Sequence, residues 1–368
     1  MTIYLSVSGR MKRVFDFSSV NLENLVIHQV GNKLRDEGIF VSPTECAMKD
    51  GDVEELLLKY FLSSFKEEVF YKFSHETDIH LNELYMYISS IFVERDSFYA
   101  QSVNILKHLY EKSSHPQIKG GEFYMVYFTD CKVNEQKVDA IGIFKTEKKE
   151  TYLKITRYAN EFLVGSEKGI NIKKLDKGCI IFNIESTDGY RVMTVDAVNK
   201  GNNDALYWKD DFLQLANVQD GYFHTENCLA VCQDFVENVY GEIYQADRKD
   251  KVVFMNNAVD YFDKHSNFNL ENFVQEVVKE PELIEQFKGH KQNYDTNQGF
   301  DTAENFPISN PAVKTMKKRF KNLIKLDTEF EIKVKNPTSE TGNMQFIERG
   351  YDEEKGMSFY KVFFNVEE

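Results

Sequence analysis

The sequence predicts an α+β protein, in which an antiparallel sheet with packed helices precedes a mainly helical region closed by a β-hairpin. Between residues 122 and 195, apolar residues alternate with a period of two in short segments separated by polar turns. That pattern is typical of consecutive antiparallel strands. From residue 220 onward, apolar residues recur at i, i+3 and i+4, which indicates amphipathic helices. With 42% hydrophobic and 28% charged residues, the composition is that of a globular protein.

The first half of the chain predicts a strand, three helices and then the sheet. Residues 25–31 form an apolar run ended by Gly31-Asn32, and acidic residues mark the first turn of a helix that begins at Asp52. Two more helices are predicted at residues 81–92 and 98–110, and we expect the helices to cover one face of the sheet. The strands of the sheet are predicted at residues 122–128, 138–145, 151–155, 179–184 and 190–195.

The second half predicts helices, one exposed loop and terminal strands. The helices are expected at residues 226–244, 251–264, 270–280 and 311–325, the loop at 292–305, and the strands at 329–335, 346–347 and 358–364. This organisation predicts an N-terminal extension at residues 1–20, an α+β domain at 21–212 and a helical domain at 213–368.

Composition limits the partners that the protein can have. A net charge of −14 repels DNA on average, so any contact with nucleic acid requires a local basic patch. No apolar run reaches the roughly 20 residues of a membrane span, and the N-terminus lacks the order of charge and apolar residues of a signal peptide. The 5 cysteines are scattered, as expected of reduced thiols in the cytoplasm. Cys228 and Cys232 lie one helical turn apart, and we interpret them as buried core residues rather than zinc ligands.

The predicted helix at 311–325 concentrates basic charge. Asn310 is the expected N-cap, and Val313, Met316, Phe320 and Leu323 form an apolar stripe that would dock it. No acidic residue lies between Pro311 and Leu326. A solvated amphipathic face and a contact with a polyanion both fit this pattern, and lysines suit phosphate groups rather than bases. With two lysines of a predicted turn, the residues expected to contact DNA are Lys314, Lys317, Lys318, Arg319, Lys321, Lys325, Lys148 and Lys149.

A weaker pattern suggests catalysis. Asp139 and Glu147-Lys148-Lys149 resemble the two carboxylates and the lysine with which metal-dependent nucleases hold Mg²⁺ and activate water. The pattern is short and arises by chance in hairpins rich in lysine and glutamate. His28, inside an apolar strand, is interpreted as a hydrogen-bonded structural residue rather than a base. Motifs for nucleotide binding and for nucleophilic catalysis are missing from the sequence, so we predict no catalytic residue, no metal and no cofactor.

Four segments together resemble a known family. They are Leu25-Val-Ile-His-Gln-Val-Gly-Asn, His115-Pro-Gln-Ile-Lys-Gly-Gly-Glu, Asp139-Ala-Ile-Gly-Ile-Phe-Lys-Thr-Glu-Lys-Lys-Glu-Thr and Phe320-Lys-Asn-Leu-Ile-Lys-Leu-Asp. With Gln101-Ser near a helix start, their order and spacing resemble the bacterial nucleoid-associated proteins of the NdpA (YejK) family. The resemblance runs from about Leu25 to the end, and Met11 offers an alternative start. It implies a cytoplasmic protein found with the nucleoid that binds double-stranded DNA, and it supplies no catalytic residue.

The leading hypothesis is therefore a sequence-tolerant double-stranded DNA-binding protein without catalytic activity, which acts alone or as a homodimer. One alternative is a Mg²⁺-dependent nuclease that uses Asp139, Glu147 and Lys149. Another is a scaffold that meets protein partners at the nucleoid through the basic helix.

Overall fold

The structure combines a large antiparallel sheet with helices, as the predicted α+β class requires. The computed structural model describes residues 15–48, 50–197, 207–241, 248–320, 323–333 and 346–366. Residues 1–14, with Met11 and most of the predicted N-terminal extension, lie outside the described residues. The chain forms two compact units, Met1–Val218 and Gln219–Glu368.

The first unit is built around a nine-stranded antiparallel sheet. The strands of this unit are β1 (Phe15–Asp16), β2 (Asn21–Val30), β3 (Ile39–Phe40), β4 (Tyr71–Phe73), β5 (Gly121–Val133), β6 (Gln136–Thr146), β7 (Glu150–Tyr158), β8 (Glu161–Gly169), β9 (Lys177–Phe182), β10 (Arg191–Asp196) and β11 (Leu215–Asn217). The order in the sheet is β11-β4-β10-β9-β6-β5-β2-β3, and β1 pairs with β5. β7 and β8 pair with each other in a separate hairpin.

Helices cover both faces of this sheet, so the prediction that they cover one face is wrong. The helices are α1 (Gly51–Leu62), α2 (Glu83–Val93) and α3 (Phe98–Lys112). β5 is apolar at consecutive positions: Phe123 and Met125 face the core shared with α2 and α3, while Tyr124 and Val126 face the core shared with α1. A strand that is buried on both sides requires cover on both sides.

The pairing of β11 with β4 places the end of the first unit a few residues beyond the predicted boundary at residue 212. Leu215 lies opposite Phe73 and Asn217 opposite Tyr71, so this strand belongs to the sheet. At the other end, Phe15 is buried and pairs with Val133. Part of the predicted N-terminal extension therefore belongs to the sheet as well.

The second unit is mainly helical. Its helices are α4 (Gly221–Phe235), α5 (Arg248–Lys264), α6 (Leu270–Phe273), α7 (Pro281–Gln298) and α8 (Asn310–Arg319), and π-helical turns at Val236–Tyr240 and Val274–Val278 extend α4 and α6. Aromatic side chains fill the core between them, including Phe235, Phe262, Phe273 and Phe287. The antiparallel strand pairs are β12 (Asn267–Asn269) with β13 (Asn305–Pro307), β14 (Leu323–Lys325) with β15 (Glu331–Lys333), and β16 (Ile347–Asp352) with β17 (Met357–Val362). The last pair is the predicted terminal hairpin.

The predicted loop at 292–305 is wrong over its first half, because α7 continues to Gln298. Asp295 is buried and pairs with Lys291 at 2.8 Å, one helical turn earlier. Its carboxylate also accepts hydrogen bonds from the backbone N–H and the hydroxyl of Thr302 at 3.0 and 2.9 Å. Gly299, with φ of 74°, then ends the helix in the left-handed conformation that glycine adopts readily.

None of the helices in the described part of the chain has the length and apolar character that crossing a bilayer needs.

Candidate nucleic-acid interface

Helix α8 docks on the second unit through its apolar side. Ala312, Val313 and Met316 are buried in the helical core. Ser309, rather than the predicted Asn310, is the N-cap: its hydroxyl accepts a hydrogen bond from the backbone N–H of Ala312 at 3.4 Å. The backbone N–H of Ser309 donates to the Thr225 hydroxyl of α4 at 3.0 Å, which fixes the start of the helix.

The basic side chains of α8 lie on its exposed side. Lys314, Lys317, Lys318 and Arg319 are all exposed. Lys317 forms an ion pair with Asp263 of α5, and Arg319 pairs with Glu226 of α4 at 2.9 Å. Two acidic residues that are distant in sequence thus neutralise part of the positive charge of α8, a helix that itself contains no acidic residue. Exposed pairs of this kind contribute only about 0–1 kcal/mol, so a phosphate can displace the acid.

The helix is shorter than predicted. It ends at Arg319, because Phe320 takes an extended conformation (φ −76°, ψ 121°) and packs against the helical core. Leu323–Lys325 then pairs with Glu331–Lys333 as a strand. Lys325 is therefore not on the helix, and Lys321 lies outside the described residues. Three of the helical basic residues fall in the last turn, where positive charge is favourable against the negative end of the helix dipole.

Lys148 and Lys149 belong to the first unit, in the connection between β6 and β7. The backbone N–H groups of Glu147 and Lys148 donate to Asp176 at 2.7 and 3.0 Å, which holds this connection in place. Lys148 is exposed, and Lys149 forms an ion pair with Glu122 of β5.

The nuclease-like residues are not brought together. Asp139 lies near the start of β6 and accepts a hydrogen bond from the Tyr127 hydroxyl at 2.7 Å. Glu147 follows the other end of the same strand, and an extended chain places roughly 25 Å between them. The side chain of Glu147 is 2% exposed and pairs with Lys145. The two carboxylates cannot share a metal ion, and no cluster of three or more His, Cys, Asp or Glu with the arrangement of a metal site occurs among the described residues.

A family model described as nucleoid-associated protein YejK matches residues 26–355. The chain belongs to this family. The match spans most of both units and ends in the turn between β16 and β17. No match to the chain was found among curated proteins.

Three of the segments that carry the resemblance to the NdpA/YejK family meet at one end of the sheet. Asn32, fully buried after β2, donates hydrogen bonds from its side-chain amide to the carbonyls of His115 and Ile118, both at 2.8 Å. Gly121 begins β5 where a Cβ would lie 1.8 Å from the carbonyl oxygen of Thr146, so the close approach of β6 requires glycine. These residues join the segments that begin at Leu25, His115 and Asp139.

A buried charged cluster, formed by Lys145, Glu147, Lys177, Asp196 and Tyr207, lies at this junction. Lys145 donates to Glu147 at 3.0 Å, to the carbonyl of Lys119 at 2.6 Å and to the Tyr207 hydroxyl at 3.2 Å. Lys177, directly opposite on β9, pairs with Asp196 at 2.6 Å. Burial lowers the pKa of Lys145, and the neighbouring Glu147 carboxylate opposes this shift. Burial also raises the pKa of Tyr207.

Sequence reasoning missed this cluster, because lysines at strand ends are usually solvated. Lys145 ends the predicted strand at 138–145, where a lysine side chain is expected to reach solvent, yet its side chain is 0% exposed. The one available signal was the position of Lys145 and Lys177 directly beside apolar strand residues. Each lysine has its own carboxylate, so the geometry describes a buried network that holds the ends of β6 and β9.

His28 is hydrogen-bonded and the paired cysteines are buried, as the sequence predicts. His28 is buried: its Nδ1 accepts from the backbone N–H of Ser42 at 3.0 Å, and its Nε2 lies 3.0 Å from the Ser102 hydroxyl. Burial lowers its pKa, which keeps the ring neutral. Cys228 and Cys232 are free thiols buried in the core of the second unit.

Proposed function

We propose that this protein is a sequence-tolerant, non-enzymatic binder of double-stranded DNA that acts at the nucleoid in the bacterial cytoplasm. The observation that carries the proposal is helix α8 in a chain of the nucleoid-associated YejK family. Its apolar side is anchored by Ala312, Val313 and Met316, and its basic side chains are exposed. A rigid helix that presents lysines contacts phosphates well and reads little sequence.

Within this helix, Lys314 and Lys318 form one pair of candidates for phosphate contact. They lie four residues apart and therefore on the same side of the helix. To contact phosphate, Lys317 would have to leave its ion pair with Asp263, and Arg319 would have to leave its ion pair with Glu226. Lys321, Lys325, Lys148 and Lys149 are additional candidates that extend the contact beyond α8.

The acidic remainder of the chain limits the affinity of one helix. A net charge of −14 opposes the approach of DNA at long range, and this opposition weakens as salt screens it. A homodimer would present α8 twice to one duplex. Protein partners at the nucleoid could further stabilise the complex.

Charge reversal on α8 tests the proposal. We expect the double substitution Lys314→Glu/Lys318→Glu to weaken binding to duplex DNA by about 100-fold, and equally on unrelated sequences, because phosphate contacts are lost and repulsion is added. Fluorescence anisotropy with two labelled duplexes measures the affinity, and circular dichroism checks the fold.

The matched control is Lys66→Glu/Lys107→Glu, which changes two exposed lysines of the first unit and gives the same net charge. An equal loss of affinity in both double variants would mean that overall charge, and not α8, governs binding. Cleavage of plasmid DNA by the wild-type protein in the presence of Mg²⁺ would contradict the non-enzymatic part of the proposal.

A further inference from the structure

The β7–β8 hairpin, residues 150–169, contributes no buried side chain to a hydrophobic core. In the part of the chain that the structure describes, its two strands pair with each other and with no other strand. Every residue from Thr151 to Lys168 is exposed. A two-stranded hairpin without a packed face is marginally stable in water, so a ligand that covers one face would stabilise it.

The two faces of this hairpin differ in charge. Residues that lie directly opposite each other on antiparallel strands share a face, and the face alternates along each strand. By the register of β7 and β8, one face carries two basic residues and no acidic residue, and we call it the ribbon face. Its members are Thr151, Leu153, Ile155, Arg157, Phe162, Val164, Ser166 and Lys168.

The opposite face of the hairpin is acidic. It carries three carboxylates, and its one lysine, Lys154, forms an ion pair with Glu167. Glu150 pairs with Lys174 at 3.0 Å at the base of the hairpin, and Glu161 lies next to the turn. The hairpin is therefore neutral as a whole, and the separation of its charges between two faces makes the ribbon face positive.

The ribbon face combines this positive charge with a large apolar surface. Lys168 lies at the base of the hairpin and Arg157 lies next to the turn, so the apolar side chains lie mainly between two cations. The exposed fractions of the four apolar residues range from 66% for Ile155 to 79% for Leu153. A ligand of this face must therefore offer anionic groups at both ends and an apolar surface between them.

Further basic residues flank the base of the hairpin. Lys148 and Lys149 precede β7, and Lys173 and Lys174 follow β8; all four are exposed. Lys168 lies on the ribbon face at this base. The positive charge of the ribbon face therefore continues toward Lys148 and Lys149, which the proposed function already counts among the candidates for phosphate contact.

We propose that the ribbon face enters the minor groove of double-stranded DNA and inserts apolar side chains between base pairs, so that the protein bends the duplex that it binds. This inference rests on the proposed function and deepens it. Helix α8 contacts phosphates and leaves the duplex straight, whereas the hairpin deforms it. The two elements belong to different units of the chain, so substitutions can test them separately.

The pattern of charge and apolar surface favours DNA as the ligand. In the minor groove, two rows of phosphates flank the stacked bases, which matches an apolar surface flanked by Arg157 and Lys168. These two cations are separated by about 20 Å along the strands, a distance that their long side chains shorten when they turn toward a groove widened by insertion. A second copy of the chain fits poorly, because its ribbon face would bring only further cations.

The residue types of the ribbon face suit the minor groove rather than the major groove. Phenylalanine, leucine and isoleucine are side chains that minor-groove proteins insert between base steps. Asparagine, glutamine and acidic residues, which read base edges in the major groove, are absent from this face. Unstacking a base step costs free energy, and removal of the exposed apolar surface from water offsets that cost. The contact therefore bends DNA without selecting much sequence.

A double substitution removes the apolar centre of the ribbon face but keeps the hairpin. In Ile155→Thr/Val164→Thr, a threonine pair replaces two directly opposite apolar residues, which preserves a favourable cross-strand pair and the charge. The matched control is Tyr158→Thr/Leu163→Thr, which removes two exposed residues of the opposite face. Energy transfer between dyes at the two ends of a short duplex measures bending, and circular dichroism checks the fold.

We expect the wild-type chain and the control to increase energy transfer alike. Ile155→Thr/Val164→Thr should leave the duplex straight and bind it with about 10-fold lower affinity, because no side chain enters the base stack. A duplex with a central mismatch unstacks more easily, so the wild-type chain should bind it about 10-fold more tightly than a matched duplex. The variant should lose this preference.

Two further readouts separate the apolar and the charged contacts. The fluorescence of 2-aminopurine in the duplex rises when the base is unstacked, so the wild-type chain should increase it and Ile155→Thr/Val164→Thr should not. Arg157→Gln/Lys168→Gln should make the slope of log K against log salt less steep by about 2, because two phosphate contacts are lost. The apolar variant should leave that slope unchanged.

The outcomes distinguish this inference from the proposed function. If the protein binds duplex DNA without bending it, or if both threonine variants bend it alike, the inference fails and the proposed function stands. If the protein binds no duplex, both fail. Binding to phosphatidylglycerol vesicles or self-association that only Ile155→Thr/Val164→Thr abolishes, with bending unchanged, would show that lipid or a second copy covers this face and would overturn the proposal.

Discussion

At the scale of single residues, Lys145 is the least expected feature of the protein. A lysine side chain that is 0% exposed loses its hydration, and it is retained because Glu147, Tyr207 and the carbonyl of Lys119 surround its ammonium group. Lys177 lies directly opposite with its own partner, Asp196. Breaking one such buried pair is more damaging than replacing the whole pair, because the remaining charge stays buried.

Removal of the Glu147 carboxylate should therefore destabilise the first unit. We expect Glu147→Ala to lower its free energy of unfolding by about 3–5 kcal/mol, since Lys145 loses its counter-charge inside the protein. Urea denaturation followed by Trp208 fluorescence measures the change, because Trp208 is the sole tryptophan and is buried in this unit.

The control for this experiment is Lys148→Ala, whose side chain is exposed next to Glu147. It should change the free energy of unfolding by less than about 0.5 kcal/mol. Equal effects of both substitutions would contradict a buried network at this position.

At the scale of elements, the sequence predicted strands and helices wherever the apolar period was unbroken. β5 and β6 were predicted from a period of two between polar turns, whereas the structure buries consecutive residues of both strands. The end of α8 was misjudged, because Phe320 and Leu323 continue a helical spacing although they serve the core and a strand instead. Strand β8 was missed, since its exposed residues carry no core pattern.

Helix α7 was missed over its whole length, and its C-terminal half was missed for a different reason. Its residues are mostly polar, and the helix is held there by the buried pair of Lys291 and Asp295. Lys291 also donates to the carbonyl of Thr302 at 2.6 Å, which connects the helix to the following segment. Such a network depends on residues distant along the chain, and local periodicity does not reveal it.

This network predicts a large effect of one polar substitution. Asp295→Ala should lower the stability of the second unit by about 3–5 kcal/mol, because buried Lys291 and Thr302 lose their acceptor. Hydrogen exchange of peptides from α7 measures the local effect. The control is Asn293→Ala, at an exposed position of the same turn, which should leave the exchange unchanged. Equally rapid exchange in both variants would contradict the role of Asp295 in holding α7.

At the scale of the whole molecule, charge is the property that connects the fold to the function. The α+β class could be predicted from periodicity, and the candidate helix from its lysines. The ion pairs of Lys317 and Arg319 could not be predicted, because Asp263 and Glu226 belong to other helices. The exposed basic residues of α8 are thus fewer and more strongly partnered than the sequence suggests. The proposed binding of DNA by an acidic chain of −14 would therefore use a limited number of contacts.

The salt dependence of duplex binding tests this central claim most directly. A protein that places about six basic side chains on phosphates should lose affinity with a slope of about −5 in log K against log salt, because condensed cations are released. Anisotropy titrations of the wild-type chain at several salt concentrations give this slope. We predict a slope near −5, with the same value on unrelated sequences. No duplex binding at low salt, or an affinity independent of salt, would contradict the account.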